Sequence, residues 1–224
     1  MLRKFLGIIF LSIIAAPVFS AGGPWVEGQH YFLIDQVQAS SPPGSAPAVT
    51  EVFSYGCPFC AQFSPTANQL KASLPAQAQF VYVPAAFIPS EDWPMFQRAY
   101  CTAQLLGVAA QTHEAMFDAV WKSGELAISD PATHRLKSPP PTIEDAARVY
   151  NRLTGISVET FLGTAHSFAV DAKMRADDDL IQAYRVESTP SIVVYGRYRV
   201  NMDSVHTAGE LVELVSWLVA KGSK

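Results

Sequence analysis

The stretch "VTEVFSYGCPFCAQF", residues 49–63, limits what this chain can fold into more than any other. The β-branched and aromatic residues from Val49 to Tyr55 predict a strand. Pro58, directly after Cys57, predicts the first residue of a helix, because the N–H that proline lacks would have had no partner there anyway. Cys57 then falls at the N-cap. The helix is expected over 58–74 with Pro65 as a kink, and "AQFVYVPA" (78–85) reads as a second core strand. Strand, helix, strand is a βαβ unit.

Around this unit, "HYFLI" (30–34) reads as a short strand and "QASSPPGSAPA" (38–48) as a turn-rich connection. From about Pro89 to Ser138 the pattern is helical. Phe96, Ala99, Tyr100, Ala103 and Leu106 fall on one face, and "THEAMFDAVW" (112–121) repeats that periodicity. "SPPP" (138–141) interrupts it. Thr142 starts another helix with Asp145 placed as in a capping box, Gly155 ends it, and Ser157 opens a short helical turn. A longer helix is expected over 165–186. "PSIVVY" (190–195) and "YRVN" (198–201) then form a strand pair about a Gly-Arg turn, and 208–222 reads as a closing amphipathic helix. The fold class is α/β: a frame formed by 21–87 and 164–224, with a helical block inserted at 88–163.

Of 224 residues, 49 % are apolar and 16 % charged, enough for a substantial core. The net charge of −4 and the lack of any basic block argue against nucleic acid as a partner. Residues 1–20 have a different texture. Arg3 and Lys4 precede fifteen uncharged residues, and small side chains follow near Ser20 and Ala21, the layout of a secretory signal peptide. The competing reading, a membrane anchor, needs roughly 20 apolar residues. Cleavage would remove two positive charges and leave a mature charge of −6.

An exported chain with only three cysteines, Cys57, Cys60 and Cys101, is not a disulfide scaffold. Zinc would need two further ligands. There is no second C-x-x-C, the histidines show no paired spacing, and "HEAMF" has Phe117 where a metalloprotease motif needs its second histidine. Two merely structural cysteines are the bland alternative. The context favours a redox pair: N–H groups of Phe59 and Cys60, together with the positive end of the helix, favour a thiolate at Cys57. Such a thiolate stabilises the dithiol and makes the disulfide oxidising. Cys60, one turn into the helix, would be the buried partner.

With "VTEVFSYGCPFC" (49–60), "VESTPSIVVYGRYRV" (186–200) and the helical block between them, the chain resembles the DsbA family of periplasmic thiol–disulfide oxidoreductases over nearly its whole mature length. The resemblance implies a thioredoxin fold with an inserted helical domain. It implies Cys57 as the exposed attacking cysteine, Cys60 as the resolving one, and a cis Pro190 facing them. Thr189, Pro58 and Phe59 would contact substrate, the Thr189 backbone pairing with an extended client strand. Without the resemblance, Pro190 reads as a trans proline opening a strand. Glu51, the only charge in its strand, would be a buried acid that takes the Cys60 proton; the alternative is an outward-facing strand-edge carboxylate. The implied partners are exported proteins with cysteines and a DsbB-type membrane quinone reductase as reoxidant. Neither a bound cofactor nor a metal is needed.

Three features depart from the best-known members. Phe59 replaces a histidine, so the Cys57 pKa is expected to lie above that of a C-P-H-C site and the disulfide to be less oxidising. Thr189 stands in place of valine. No lysine near "FVYVPAA" pairs with Glu51. Cys101, on the flank of an apolar stripe, reads as a small buried hydrophobe, with a regulatory or intermolecular thiol as the alternative. A disulfide isomerase or reductase is the rival enzyme; those relatives dimerise through an N-terminal domain for which ten residues leave no room, so a monomer is expected. A redox-silent folding chaperone is the rival of another class.

Overall fold

The computed structural model describes residues 25–34, 48–130 and 132–222. The expected signal segment and nearly all of the 38–48 connection lie outside these residues. Five strands form one sheet: β1 (Tyr31–Leu33), β2 (Ala48–Phe53), β3 (Gln79–Pro84), β4 (Ser191–Val194) and β5 (Tyr198–Val200). Their order is β1-β5-β4-β2-β3. β2 and β3 run parallel, as the βαβ reading requires, while β4 and β5 pair antiparallel and β4 docks antiparallel on β2. The turn joining β4 and β5 has positive φ at Tyr195 (56°) and Gly196 (62°).

The alternation of β2 sorts its side chains to two layers. Val49 faces α1 (Pro58–Ser73) and α7 (Ala208–Gly222), in a core with Leu70, Ile192, Leu214 and Leu218. Val52 faces α6 (Phe168–Ala183), with Val83, Ile181 and Val193. Beyond the end of β2 stand α2 (Trp93–Leu105), α3 (Ala109–Trp121), α4 (Ile143–Thr154) and α5 (Val158–Ala165). They enclose a third core that takes in Phe53, Tyr55, Cys57 and Cys60. The cysteine pair therefore sits where the sheet core meets the helical core.

Local signals explain the helix ends. Thr142 and Asp145 make the reciprocal capping box read from sequence, and Gly155 ends α4 in the left-handed region. The helical pattern does not persist to Ser138, however. α3 stops at Trp121; Gly124 has φ of 75°, and the Asp130 carboxylate accepts from the N–H groups of Ala132 and Thr133. Side-chain capture of the backbone there competes with helix formation. The long helix likewise begins at Phe168 rather than 165, because Ser167 caps it while Ala165 still belongs to α5.

Candidate active site

Cys57 is the N-cap of α1, and its sulfur accepts from the Cys60 N–H at 3.4 Å. Across from it, the Thr189–Pro190 peptide is cis, and the Cys57 thiol donates to the Thr189 carbonyl at 3.5 Å. Two segments distant in sequence thus meet at one sulfur. All three cysteines are free thiols in this structure.

Cys57 is less open than expected of an attacking cysteine. It is 3 % exposed, against 0 % for Cys60. Trp93 shares the core around Cys57, and its indole lies against the neighbouring Gly56, where an added Cβ would come within 2.6 Å of Nε1. The Thr189 loop covers another side. Phe59 by contrast is 66 % exposed and stands beside the sulfur as an apolar surface.

The two thiols are driven apart. The Cys57 thiol is lowered to about 6, chiefly by the hydrogen bond from the Cys60 side chain, then by the Thr189 side chain and by the backbone N–H groups of Cys60 and Phe59, against an opposing effect of burial. Cys60 is pushed far up, by burial first and by the neighbouring Cys57 second. A lowered thiol stabilises the folded reduced form above the lowered value, and the effect is lost as pH falls through 6. At pH 7 it favours dithiol over disulfide and so makes the disulfide the more oxidising form.

Glu51 is 1 % exposed, and its Oε2 has no hydrogen-bond partner. Burial, then the charge of Glu114, then Cys57 raise its carboxyl to about 8. The strand-edge alternative is thus excluded, and Glu51 is mostly protonated at neutral pH. Its register partner on β3 is Tyr82, whose ring lies 4.0 Å from that of His113. His113 shares a 3.1 Å hydrogen bond with the Tyr55 hydroxyl and is held down to about 3, by burial and then by the Lys71 charge. Cys101 is fully buried and donates to Asp177 at 3.4 Å, with burial pushing its thiol up, as suits the bland reading. Among the described residues no cluster of His, Cys, Asp and Glu could hold a metal.

No protein-family model matches the chain. The thiol:disulfide interchange protein DsbA of Pseudomonas aeruginosa is 32 % identical over 191 residues, 84 % of this chain and 83 % of that protein. DsbA of Pseudomonas syringae pv. tomato is 29 % identical over 218 residues, 96 % of this chain and 94 % of the relative. The chain belongs to the DsbA family. The crystal structure of DsbA from Xylella fastidiosa matches it with a TM-score of 0.75 and 28 % identity, covering 89 % of this chain and 98 % of that one. The structure of Pseudomonas aeruginosa DsbA matches with a TM-score of 0.74 and 31 % identity, covering 89 % and 95 %. The protein is accordingly a thiol:disulfide oxidoreductase on a thioredoxin fold.

Sequence reasoning missed Tyr82, His113, Glu114 and Ser64 at the DsbA-type site. "HEAMF" was read for helical periodicity and a failed zinc spacing, yet it carries both His113 and Glu114. A serine one turn after Cys60, on the face of α1 that carries Ala67 and Leu70 into the core, was the available signal.

Proposed function

We propose that this DsbA-family protein donates the Cys57–Cys60 disulfide to exported proteins in the periplasm. A client thiolate attacks the Cys57 sulfur, the Cys57–Cys60 bond breaks, and Cys60 leaves with its electron pair. A thiol pushed as far up as Cys60 leaves poorly as a bare thiolate. The protonated Glu51 carboxyl supplies the proton, and in reoxidation it takes that proton back. A second client thiolate then attacks the client sulfur of the mixed disulfide and releases Cys57 as a thiolate, a good leaving group. The client is oxidised by two electrons and the enzyme reduced. A DsbB-like membrane quinone reductase restores the disulfide.

The observation that carries this reading is the Cys57 sulfur at a helix N-cap, facing the Thr189 carbonyl, with its thiol held near 6. Such a thiol favours the reduced enzyme and hence electron flow from client to enzyme. Thr189, Pro190, Pro58 and the exposed Phe59 form the client-facing surface. The unit 88–163 is an inserted helical domain, and the protein works as a monomer. Export is through the 1–20 segment; among the described residues no helix is long and apolar enough to cross a membrane.

The test is to mix the oxidised protein with one equivalent of a reduced two-cysteine peptide and count thiols. Near-stoichiometric transfer of the disulfide to the peptide is expected. Persistence of the peptide as a dithiol, with the protein oxidised, would move the assignment to a reductase.

A further inference from the structure

The inserted helices contribute a carboxylate to this site. We propose that Glu114 of α3 is a positioning residue of the redox centre: clamped onto α1 beside Ser64, it keeps the proton on Glu51 and so sets the pH range in which Cys60 can exchange its own. The proposal rests on Glu51 being the proton partner of Cys60.

The placement follows from register and periodicity. Cys60, Ser64, Ala67 and Leu70 form the buried face of α1. Val49 shares a core with Leu70, and Phe53 shares another with Cys60. Glu51 lies between Val49 and Phe53 on the same face of β2, the face whose neighbours pack on the buried side of α1. Ser64 is 5 % exposed, and its hydroxyl donates to Glu114 Oε2 at 2.5 Å. Asn68, one turn further along α1, donates to Oε1 at 3.1 Å. Both carboxylate oxygens are therefore held, although Glu114 is itself on the surface. From the other side, Tyr82 is the register partner of Glu51 and packs on His113, the residue before Glu114.

Among the described residues, the only cation acting directly on Glu114 is the exposed Lys122. Besides Glu114, the groups that act on Glu51 are Cys57 and Cys60 from α1 and Tyr82 from β3; His113 of α3, packed on Tyr82 and bonded to Tyr55, is kept neutral. Lys71 lines a cleft of about 390 Å³ with Tyr82 and Tyr100. Lys122 is paired first with Asp118, at 2.7 Å, and acts on Glu114 only as a lesser interaction through solvent. Among the described residues no cation hydrogen-bonds either carboxylate. A fixed negative charge close to a buried acid disfavours its ionisation, and Glu114 acts on Glu51 in that direction, second only to burial. Because α3 belongs to the helical block and α1 to the sheet, the contact also ties redox tuning to the seam between them.

Glu114→Gln keeps the size and the bond from Ser64 and removes the charge. The Glu51 carboxyl should be titrated by carbon-13 NMR in the oxidised full-length protein, alongside the pH profile of client oxidation. The expected result is a Glu51 midpoint lower by about half a unit or more, a profile displaced the same way, and no displacement by Glu114→Gln when Glu51 is already Gln. Ser64→Ala, which frees Glu114 to swing into water, should move the midpoint in the same direction. An unmoved midpoint in both variants, or a displaced profile that persists in the Glu51→Gln background, overturns the proposal. The titration does not depend on which way electrons flow, so failure of the donor assignment would be seen separately.

Discussion

Cys60→Ala is expected to turn the protein into a reagent that reacts once and stops. Cys57, the N-cap sulfur with access to the Thr189 edge, still attacks a client disulfide, but nothing inside the enzyme can release the mixed disulfide. Turnover should fall to the background of uncatalysed thiol exchange, and client should accumulate covalently on Cys57, as seen by non-reducing electrophoresis and mass spectrometry. The variant also loses the first of the hydrogen bonds that lower the Cys57 thiol, so the remaining thiol should titrate above 6. Cys57→Ala is the counter-experiment. It leaves Cys60, fully buried and pushed far up, and should form no adduct. Adducts on Cys60 in that variant, or undiminished turnover in Cys60→Ala, would contradict the assigned roles.

Glu51→Gln should stabilise the protein and slow it. The Glu51 carboxyl titrates at about 8 when folded and near 4.5 when unfolded. Between those values the folded state binds the extra proton, so this group's contribution is full below 4.5 and is lost as pH rises through 8. At pH 7 the loss is on the order of 3 kcal/mol. A glutamine does not titrate, so the variant should be more stable than the parent by an amount of that order at pH 7, with the difference vanishing toward pH 4. His113 produces the opposite slope in both proteins. Its folded pKa of about 3 lies below the ordinary 6.5, so stability falls as pH drops from 6.5 toward 3, and the comparison cancels it. Client oxidation at pH 7 should slow by about 100-fold, the lower range for loss of a positioned acid–base group. Urea midpoints across pH and stopped-flow thiol oxidation measure the two effects. A variant slower but no more stable would mean that Glu51 is not held as a buried, mostly protonated acid.

The legible parts of this chain were those specified locally. The N-cap at Cys57, Pro58 at the start of α1, the Thr142–Asp145 capping box and the Gly155 stop each depend on a few adjacent residues, and all stand in the fold. Glu51 was visible as a lone charge in an apolar strand, and its burial follows from the alternation that sends Val49 and Phe53 into the cores. The cover over Cys57 was not visible, because Trp93 and Thr189 arrive from 36 and 132 residues away. The Ser64–Glu114 bond spans 50 residues and joins two helices whose packing no periodicity specifies. Reading 122–138 as helix erred because apolar spacing continued while Gly124 and Asp130 redirected the backbone.

The most direct measurement is the redox equilibrium of Cys57–Cys60 against glutathione, with Cys101 replaced by alanine so that only one couple titrates. A potential of about −120 to −180 mV, the range of known disulfide donors with DsbA itself at the oxidising end, is the expected result. A value near −270 mV, about that of thioredoxin, would contradict the account and place this enzyme among the reductases.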